Sequence, residues 1–577
     1  MSNNNLRINI VIVIVFLIGG IVLSRLFYLQ INQGEYYKAM AQGQQTSLSE
    51  TQGERGEVTF KNGEILAMTE KEPYLFVSPE EIKDKEVTAQ MLAEKTGKNT
   101  DSLLALMNKE GSFFEVVEEN IDKDKADEIS GLGLDGVHIG YKTKRYYPSE
   151  KTASQLIGFI NQEGLGQYGL EGYYDDQIKG EEAVSKTEKN PWSFLFKLSE
   201  KDSLNGSSLK LTIDYNIQFM AEKVLNESVE KYDAEGGEII VMDPNTGAII
   251  AMAQNPNFNP NDYQDASMES FQNSCIQKLF EPGSIFKPVT MSMAINEKAV
   301  TPDTVFDDKL GYKQFGTYKV YNYSEKIWGK ITMTEVLQGS VNTGVMYAES
   351  LIGHEKFYNY LKSFGLFENT GVDLAGEVSS SNKELKKALD NHIEVTFGNV
   401  SFGQGVGITP LQMIRAFSTV VNGGKLYKPY IVESITANGK EKKIEPTVVR
   451  ENVISPETST TMKNMLVNVV EKGFGHLAKI PGYWIGGKTG TSQVPYSSLG
   501  INKSGYSEHT WQTFMGFAPA LNPKFIILVK LNNPTATKTS EYSAVPTFHD
   551  LAKYIIDYWQ IPPDYDDTIT TTTLDKE

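Results

Sequence analysis

One stretch of this sequence differs in kind from the rest. Residues 8–23 (INIVIVIVFLIGGIVL) run for 16 residues without a charge, and apolar character resumes after Ser24-Arg25 with Leu26-Phe27-Tyr28-Leu29. Taken as one helix, Ile8 to Leu29 would span roughly 33 Å at about 1.5 Å per residue. That is enough for a hydrocarbon core of about 30 Å, provided that Arg25 snorkels to the headgroups. A cleaved signal peptide ends at a small-residue site, whereas this run ends in Arg, Leu, Phe and Tyr. The expectation is an uncleaved transmembrane helix over 8–29, a cytoplasmic stub over 1–7, and the remainder of the chain outside the cell.

The remainder reads as globular protein. Of 577 residues, 40% are hydrophobic and 22% charged, an ordinary balance for folded domains. The net charge of −18 argues against nucleic acid as a partner, because phosphate binding needs a cationic surface. The single cysteine, Cys275, rules out an intrachain disulfide and a multi-cysteine metal site. Residues 30–205 are heterogeneous, with charged helical stretches at Glu80–Lys109 and Glu118–Ser130. Ser203–Ser208 reads as a linker or turn, Leu209–Ile213 alternates like a strand, and Ile217–Val229 has a helical pattern. Gly237–Asp243 and Ala248–Met252 flank Pro244-Asn245-Thr246-Gly247 as a hairpin, and strands return near 484–533. These patterns predict a separate domain over 30–205, of unassigned class, and an α/β domain over 206–561. The acidic, Thr-rich tail 562–577 is expected to be disordered.

The chemistry is found by elimination and then by order. The six histidines show no H-x-x-x-H or H-E-x-x-H spacing, and no G-x-S-x-G elbow occurs, so neither a zinc site nor that hydrolase motif is expected. Gly482–Thr489 matches the phosphate-loop pattern G-x-x-x-x-G-K-[ST]. Its interior (Tyr483, Trp484, Ile485) reads as strand, and Pro495 follows where a helix should open, so that reading is rejected. Glu281-Pro-Gly-Ser284-Ile-Phe-Lys287 places a hydroxyl and an amine at i, i+3 beyond a turn. On a helix both lie on one face, a nucleophile with a base candidate. A lysine base working near pH 7 must lose about 3 pH units from its ordinary value near 10.4. Burial and a second cation can supply that, and Lys488 is a candidate for the second cation.

Each motif alone is weak. S-x-x-K also occurs at Ser207–Lys210 and Ser380–Lys383, and K-T-G also at Lys95-Thr96-Gly97. Order separates the copies: Ser284 and Lys287, then Ser340-Val341-Asn342, then Lys488-Thr489-Gly490-Thr491. This ordered set resembles the signature of penicillin-binding proteins and serine β-lactamases. The flanks Val241–Met252, Phe280–Ser284, Phe402–Gln412, Asn422–Gly424 and Phe514–Pro519 look like a transpeptidase domain. Arg25–Gln30, Arg55-Gly-Glu-Val, Asn62–Ala67, Arg145-Tyr-Tyr-Pro148 and Gly169–Asp175 resemble the anchor-proximal and pedestal motifs of class B penicillin-binding proteins. Phe60-Lys61 departs from the Asp-Arg-like pair usual in that family.

The resemblance implies a membrane anchor, an α+β pedestal or dimerisation-like domain, and a serine β-lactamase-like catalytic domain with an antiparallel sheet flanked by helices. It implies a peptidoglycan D,D-transpeptidase of the bacterial cell membrane, with no cofactor and no metal. Ser284 would attack the penultimate D-Ala of a stem peptide, Lys287 would take its proton, and Ser340 would relay a proton to the leaving amine under the influence of Lys488. Asn342, Thr489, Gly490 and Thr491 would bind substrate, and the backbone N–H groups of Ser284 and Thr491 would form an oxyanion hole. The implied partners are stem peptides on the lipid-linked precursor polymer, β-lactams, the membrane, a membrane glycosyltransferase and the division or elongation machinery. The alternatives are a D,D-carboxypeptidase or β-lactamase-like hydrolase, which needs a group to activate deacylating water, and a non-catalytic β-lactam sensor or scaffold.

Overall fold

The computed structural model describes residues 46–188 and 204–565. The stub, the run expected to span the membrane and the last twelve residues lie outside them. Among the described residues no helix is long and apolar enough to cross a membrane. They divide into two compact units, 46–55 with 179–188 and 204–206, and 56–178 with 207–565. In the first, Thr46–Gln52 pairs antiparallel with Glu182–Glu188.

The second unit contains the catalytic motifs. Its central sheet has five antiparallel strands: β1 (Gly236–Met242), β2 (Ile249–Asn255), β3 (Gly486–Pro495), β4 (Tyr506–Ala518) and β5 (Phe525–Asn532), in the order β2-β1-β5-β4-β3. The hairpin expected near 237–252 is β1–β2. Alternation along the strands sends neighbouring side chains into two different cores. Ile240, Met252, Leu528 and Met515 enter one, and Ile239, Val241, Val529 and Phe514 enter the other. The first core is covered by α2 (Lys287–Asn296), α3 (Met333–Gln338), α4 (Asn342–Ile352), α5 (Pro410–Val421) and α6 (Pro456–Lys472), and the second by α1 (Tyr215–Lys231) and α7 (Ala544–Tyr558). Helices on both faces explain why every residue of β1 is buried.

Backbone pairing crosses the boundary expected at residue 205. A second sheet joins Lys440–Lys443, Val432–Ala437, Ser208–Leu211, Val58–Thr59, Ile65–Val77 and Glu115–Glu118 in that order, with Val137–Tyr146 also paired to Ile65–Val77. Val58 lies opposite Leu209 in a parallel register, and Ile435 opposite Leu209 in an antiparallel one. The pedestal-like motifs lock this junction. Arg145 Nε donates to Glu171 Oε1 at 2.7 Å and Arg145 Nη1 to the Gly56 carbonyl at 2.8 Å. Phe60, at the position of the departure, is fully buried and meets Tyr215 edge-on at 5.2 Å.

The helical stretches are shorter than expected. Glu80–Lys109 holds two helices, Lys85–Thr96 and Thr100–Met107, separated where Gly97 adopts φ 74° and Asn99 caps the second. In Glu118–Ser130 the helix starts only at Lys123, capped by Asp122. The tail also needs correction. Residues 562–565 are held, because Trp484 N–H donates to Asp564 Oδ2 at 2.9 Å, Asp564 N–H donates to the Gly482 carbonyl at 2.8 Å, and Tyr565 packs on Trp484.

Candidate active site

Ser284 sits in a tight 3-10 turn, Gly283–Phe286, that runs directly into α2. Gly283 makes the turn possible. Its φ is +57°, and a Cβ there would lie 2.8 Å from the Ser492 Cβ on β3. Ile285, Phe286 and Lys287 are fully buried, while Ser284 stays partly exposed. The turn thus plugs its apolar and basic side chains into the core and leaves its hydroxyl at the surface of a cavity.

Lys287 and Lys488 converge on Ser340 from different elements. Lys287 Nζ donates to the Ser340 carbonyl at 2.5 Å and to Ser340 Oγ at 3.2 Å. Lys488 Nζ donates to Ser340 Oγ at 3.0 Å, to the Thr489 carbonyl at 3.0 Å and to Thr489 Oγ1 at 3.2 Å. The sheet register explains Lys488. It pairs with Met515, Met515 with Leu528, Leu528 with Ile240 and Ile240 with Met252. Directly opposed residues share a face, so the ammonium ends an otherwise apolar row under the helical layer. Neither lysine exposes any surface. Burial drives the Lys287 amine well below its ordinary value and the neighbouring Lys488 charge pushes it further down. Burial lowers Lys488 to about 7. Among the described residues no hydrogen bond engages the Ser284 hydroxyl. Such contacts commonly tighten only when substrate arrives.

Ser340 occupies the turn between α3 and α4 with φ 53°. A non-glycine residue there is strained, and the surrounding contacts hold it. Gly339 before it packs so closely on Trp328 that a Cβ would meet the indole at 2.3 Å. Thr343 after it donates to Asp308 Oδ1 at 3.1 Å, and its N–H donates to Asn322 Oδ1 at 3.0 Å. Asp308 Oδ2 accepts from Asn322 Nδ2 at 2.9 Å and from the Trp328 N–H at 3.0 Å. Asp308, Asn322 and Thr343 are all buried. This hub carries no sequence signature. Its members lie 14 and 35 positions apart, with no period to reveal them.

The other expected residues line the same cavity, of about 910 Å³, with Ser284, Ser340, Asn342, Thr489 and Thr491 on its walls. Asn342 Nδ2 donates to the Tyr321 carbonyl at 2.9 Å. Thr491 Oγ1 lies 3.2 Å from Ser540 Oγ and accepts from the Ser540 N–H at 3.1 Å. Gly490 is behind the wall. A Cβ there would lie 2.4 Å from Thr513 Oγ1 and 3.1 Å from Ile285 Cγ2, so glycine lets β3 approach the Ser284 turn. The duplicate motifs fall elsewhere. Lys95 ends a helix and pairs with Glu128 at 2.9 Å, Lys210 lies on a strand 3.3 Å from Glu433, and Lys383 opens the helix Lys383–Asp390. Lys488-Thr489 is part of strand β3, which runs on to Pro495 and is followed only by a 3-10 turn, Tyr496–Leu499, whereas a phosphate loop would open an α-helix directly after its Lys-Thr.

A hydroxyl beside a pair of buried amines that share a second hydroxyl is equipped for acyl transfer: nucleophile, proton acceptor, relay and electrostatic support. Known proteins resemble the chain over most of its length. Residues 237–553 match the penicillin-binding protein transpeptidase domain and residues 50–211 the penicillin-binding protein dimerisation domain. Stage V sporulation protein D of Bacillus subtilis (strain 168) is 32% identical over 554 residues, covering 93% of this chain and 83% of that protein. Peptidoglycan D,D-transpeptidase FtsI of Escherichia coli (strain K12) is 31% identical, covering 90% of this chain and 86% of that protein. A crystal structure of penicillin-binding protein 3 from Mycobacterium tuberculosis complexed with aztreonam superposes with a TM-score of 0.69 at 25% identity, covering 90% of this chain and 98% of that one. With the site geometry, the two domain matches and relatives spanning most of its length, the chain belongs to the class B penicillin-binding proteins.

Proposed function

We propose that the chain is a peptidoglycan D,D-transpeptidase that works through a Ser284 acyl-enzyme. The observation that carries this reading is the convergence of buried Lys287 and Lys488 on Ser340 beside the cavity that Ser284 faces. Neutral Lys287 takes the Ser284 proton as Oγ attacks the carbonyl of the penultimate D-Ala. The N–H groups of Ser284 and Thr491 hold the developing oxyanion. Ser340 passes a proton to the departing D-Ala amine, and Lys488 tunes that transfer. Asn342 bonds the peptide amide, while Thr489 and Thr491 receive the substrate carboxylate with Gly490 giving the strand its close approach. An amine of a neighbouring stem peptide then attacks the ester, forms the cross-link and frees Ser284. A β-lactam enters by the same route, its ring amide opening onto Ser284.

The apolar run 8–29 anchors the enzyme in the cell membrane with its catalytic domain outside, facing precursor polymer made by a membrane glycosyltransferase of the division or elongation machinery. A fluorescent penicillin tests the chemistry. The full-length chain takes up label and Ser284→Ala does not. Labelling of Ser284→Ala would refute the site, and rapid loss of label from the native chain would make it a hydrolase. Release of the chain from washed membranes without detergent would refute the anchor.

A further inference from the structure

The wall of the cavity facing Ser340 is an excursion of the chain, residues 309–328, between two paired strands. Val305–Asp308 and Gly329–Thr332 close its neck, with Asp308 opposite Gly329. Its body is the hairpin Tyr312–Phe315 with Tyr318–Tyr321. The same hub that holds the Ser340 turn holds this flap. Asn322 Nδ2 donates to the Lys326 carbonyl at 3.0 Å, and Asp308 takes the Trp328 N–H. Lys326 and Trp328 are therefore fixed relative to Ser340 through a few buried hydrogen bonds.

The flap presents cations in an unusual state. Lys326 Nζ lies 3.6 Å from the centroid of the Trp328 ring, and Lys319 Nζ lies 4.3 Å from that of Tyr312. Lys319, Lys326 and Lys538 all line the cavity and are exposed. Among the described residues none of the three has a carboxylate partner, in a chain with 73 acidic residues against 55 basic ones. The one lining carboxylate, Glu541, lies 3.4 Å from His476. An ammonium pinned on an aromatic face keeps its outward hydrogens for a further acceptor.

We infer that the flap is a second anion subsite, in which Lys326 on Trp328, assisted by Lys319, receives a carboxylate of the stem peptide other than the terminal one bound at Thr489 and Thr491. The enzyme then prefers stem peptides with a free side-chain carboxylate near the reacting bond over the same peptides with a carboxamide there. This rests on the transpeptidase reading and names the substrate feature that the site selects.

The test is protection of the full-length chain from fluorescent penicillin by two peptides ending in D-Ala-D-Ala. They differ only in a carboxylate or carboxamide on the residue before that pair. A charge pair at the cavity rim predicts half-protection at about fivefold lower concentration of the carboxylate peptide. In Lys326→Gln that ratio falls to about one, and in Lys326→Arg it is retained. Equal protection by both peptides, protection by neither, or an unchanged ratio in Lys326→Gln overturns the subsite. Failure of the native chain to take up penicillin at all is a different result, and it refutes the transpeptidase reading on which the subsite rests.

Discussion

Replacing Lys488 by methionine should make the protein more stable and inactive at once. Holding a buried ammonium at about 7 instead of 10.5, at about 1.4 kcal/mol per pH unit, costs the folded state about 5 kcal/mol at pH 6. Methionine has nearly the same length, buries readily and removes that cost. It leaves the Thr489 carbonyl without the Lys488 bond, a loss of about 2 kcal/mol, while Ser340 keeps Lys287. The variant should therefore be about 3 kcal/mol more stable at pH 6, read as a denaturation midpoint several degrees higher. Lys488 has a folded value below its unfolded one, so between about 7 and 10.5 the unfolded chain binds the extra proton. Native stability thus rises with pH across that window. By pH 9 the remaining cost is about 2 kcal/mol and the two proteins should melt together. Penicillin acylation of the variant should be lost, since Ser340 Oγ loses the Lys488 hydrogen bond that tunes its proton relay, although burial still keeps the Lys287 amine low. A variant that is no more stable at pH 6, or an advantage that does not shrink toward pH 9, would show that the ammonium is not a stored cost.

Other consequences are equally direct. The acylation rate, followed from pH 6 to 10, should flatten well before 10.5, because Lys287 is held well below that value. A tenfold climb per pH unit through pH 10 would mean an ordinary lysine. Gly283→Ala forces a Cβ into positive φ and against Ser492, so acylation should fall at least tenfold and stability by about 1–3 kcal/mol, measured by labelling kinetics and urea unfolding. Asp308→Ala removes the acceptor of an Asn322 Nδ2 hydrogen and of the Trp328 and Gly311 N–H groups, while the Thr343 hydroxyl can still turn to Asn322 Oδ1. Urea unfolding should show a loss of about 3 kcal/mol or more, and slower labelling should accompany it. Glu171→Gln breaks the pair between fully buried Glu171 and largely buried Arg145 and should cost about 3 kcal/mol, read by the same urea midpoint while penicillin still labels the folded fraction.

The reacting groups were legible because their chemistry demands short spacings or a fixed order. Ser284 and Lys287 stand one helical turn apart, and Ser340, Asn342 and Lys488 follow in sequence. The sheet was legible for a similar reason, since the Pro244–Gly247 turn between the apolar runs of β1 and β2 is local. What escaped depends on long-range closure. Asp308 lies between two motifs and belongs to neither, and its role appears only when residues 322, 328 and 343 fold around it. The strain at Ser340 leaves no mark on its residue type. Trp328 and Lys326 read as an ordinary surface pair until the flap turns them toward the cavity. The early helices were over-extended because charged residues favour helix on either side of Gly97, whereas only the left-handed cap reveals the break.

The sheet that crosses residue 205 makes the second unit a poor candidate for hinging within itself. Ser208–Leu211 is bonded on one edge to Val58–Thr59 and on the other to Val432–Ala437. Two residues before that last strand, Tyr430 bridges to Ala248 beside β2, where the Ile249 N–H donates to the Tyr430 carbonyl. A continuous ribbon of peptide bonds and inter-strand hydrogen bonds therefore leads from the strand Ile65–Val77 to the catalytic sheet. Tension applied to that strand is carried as shear along paired backbones, the stiffest direction a protein offers, and arrives at the sheet that carries Lys488 with little slack to absorb it.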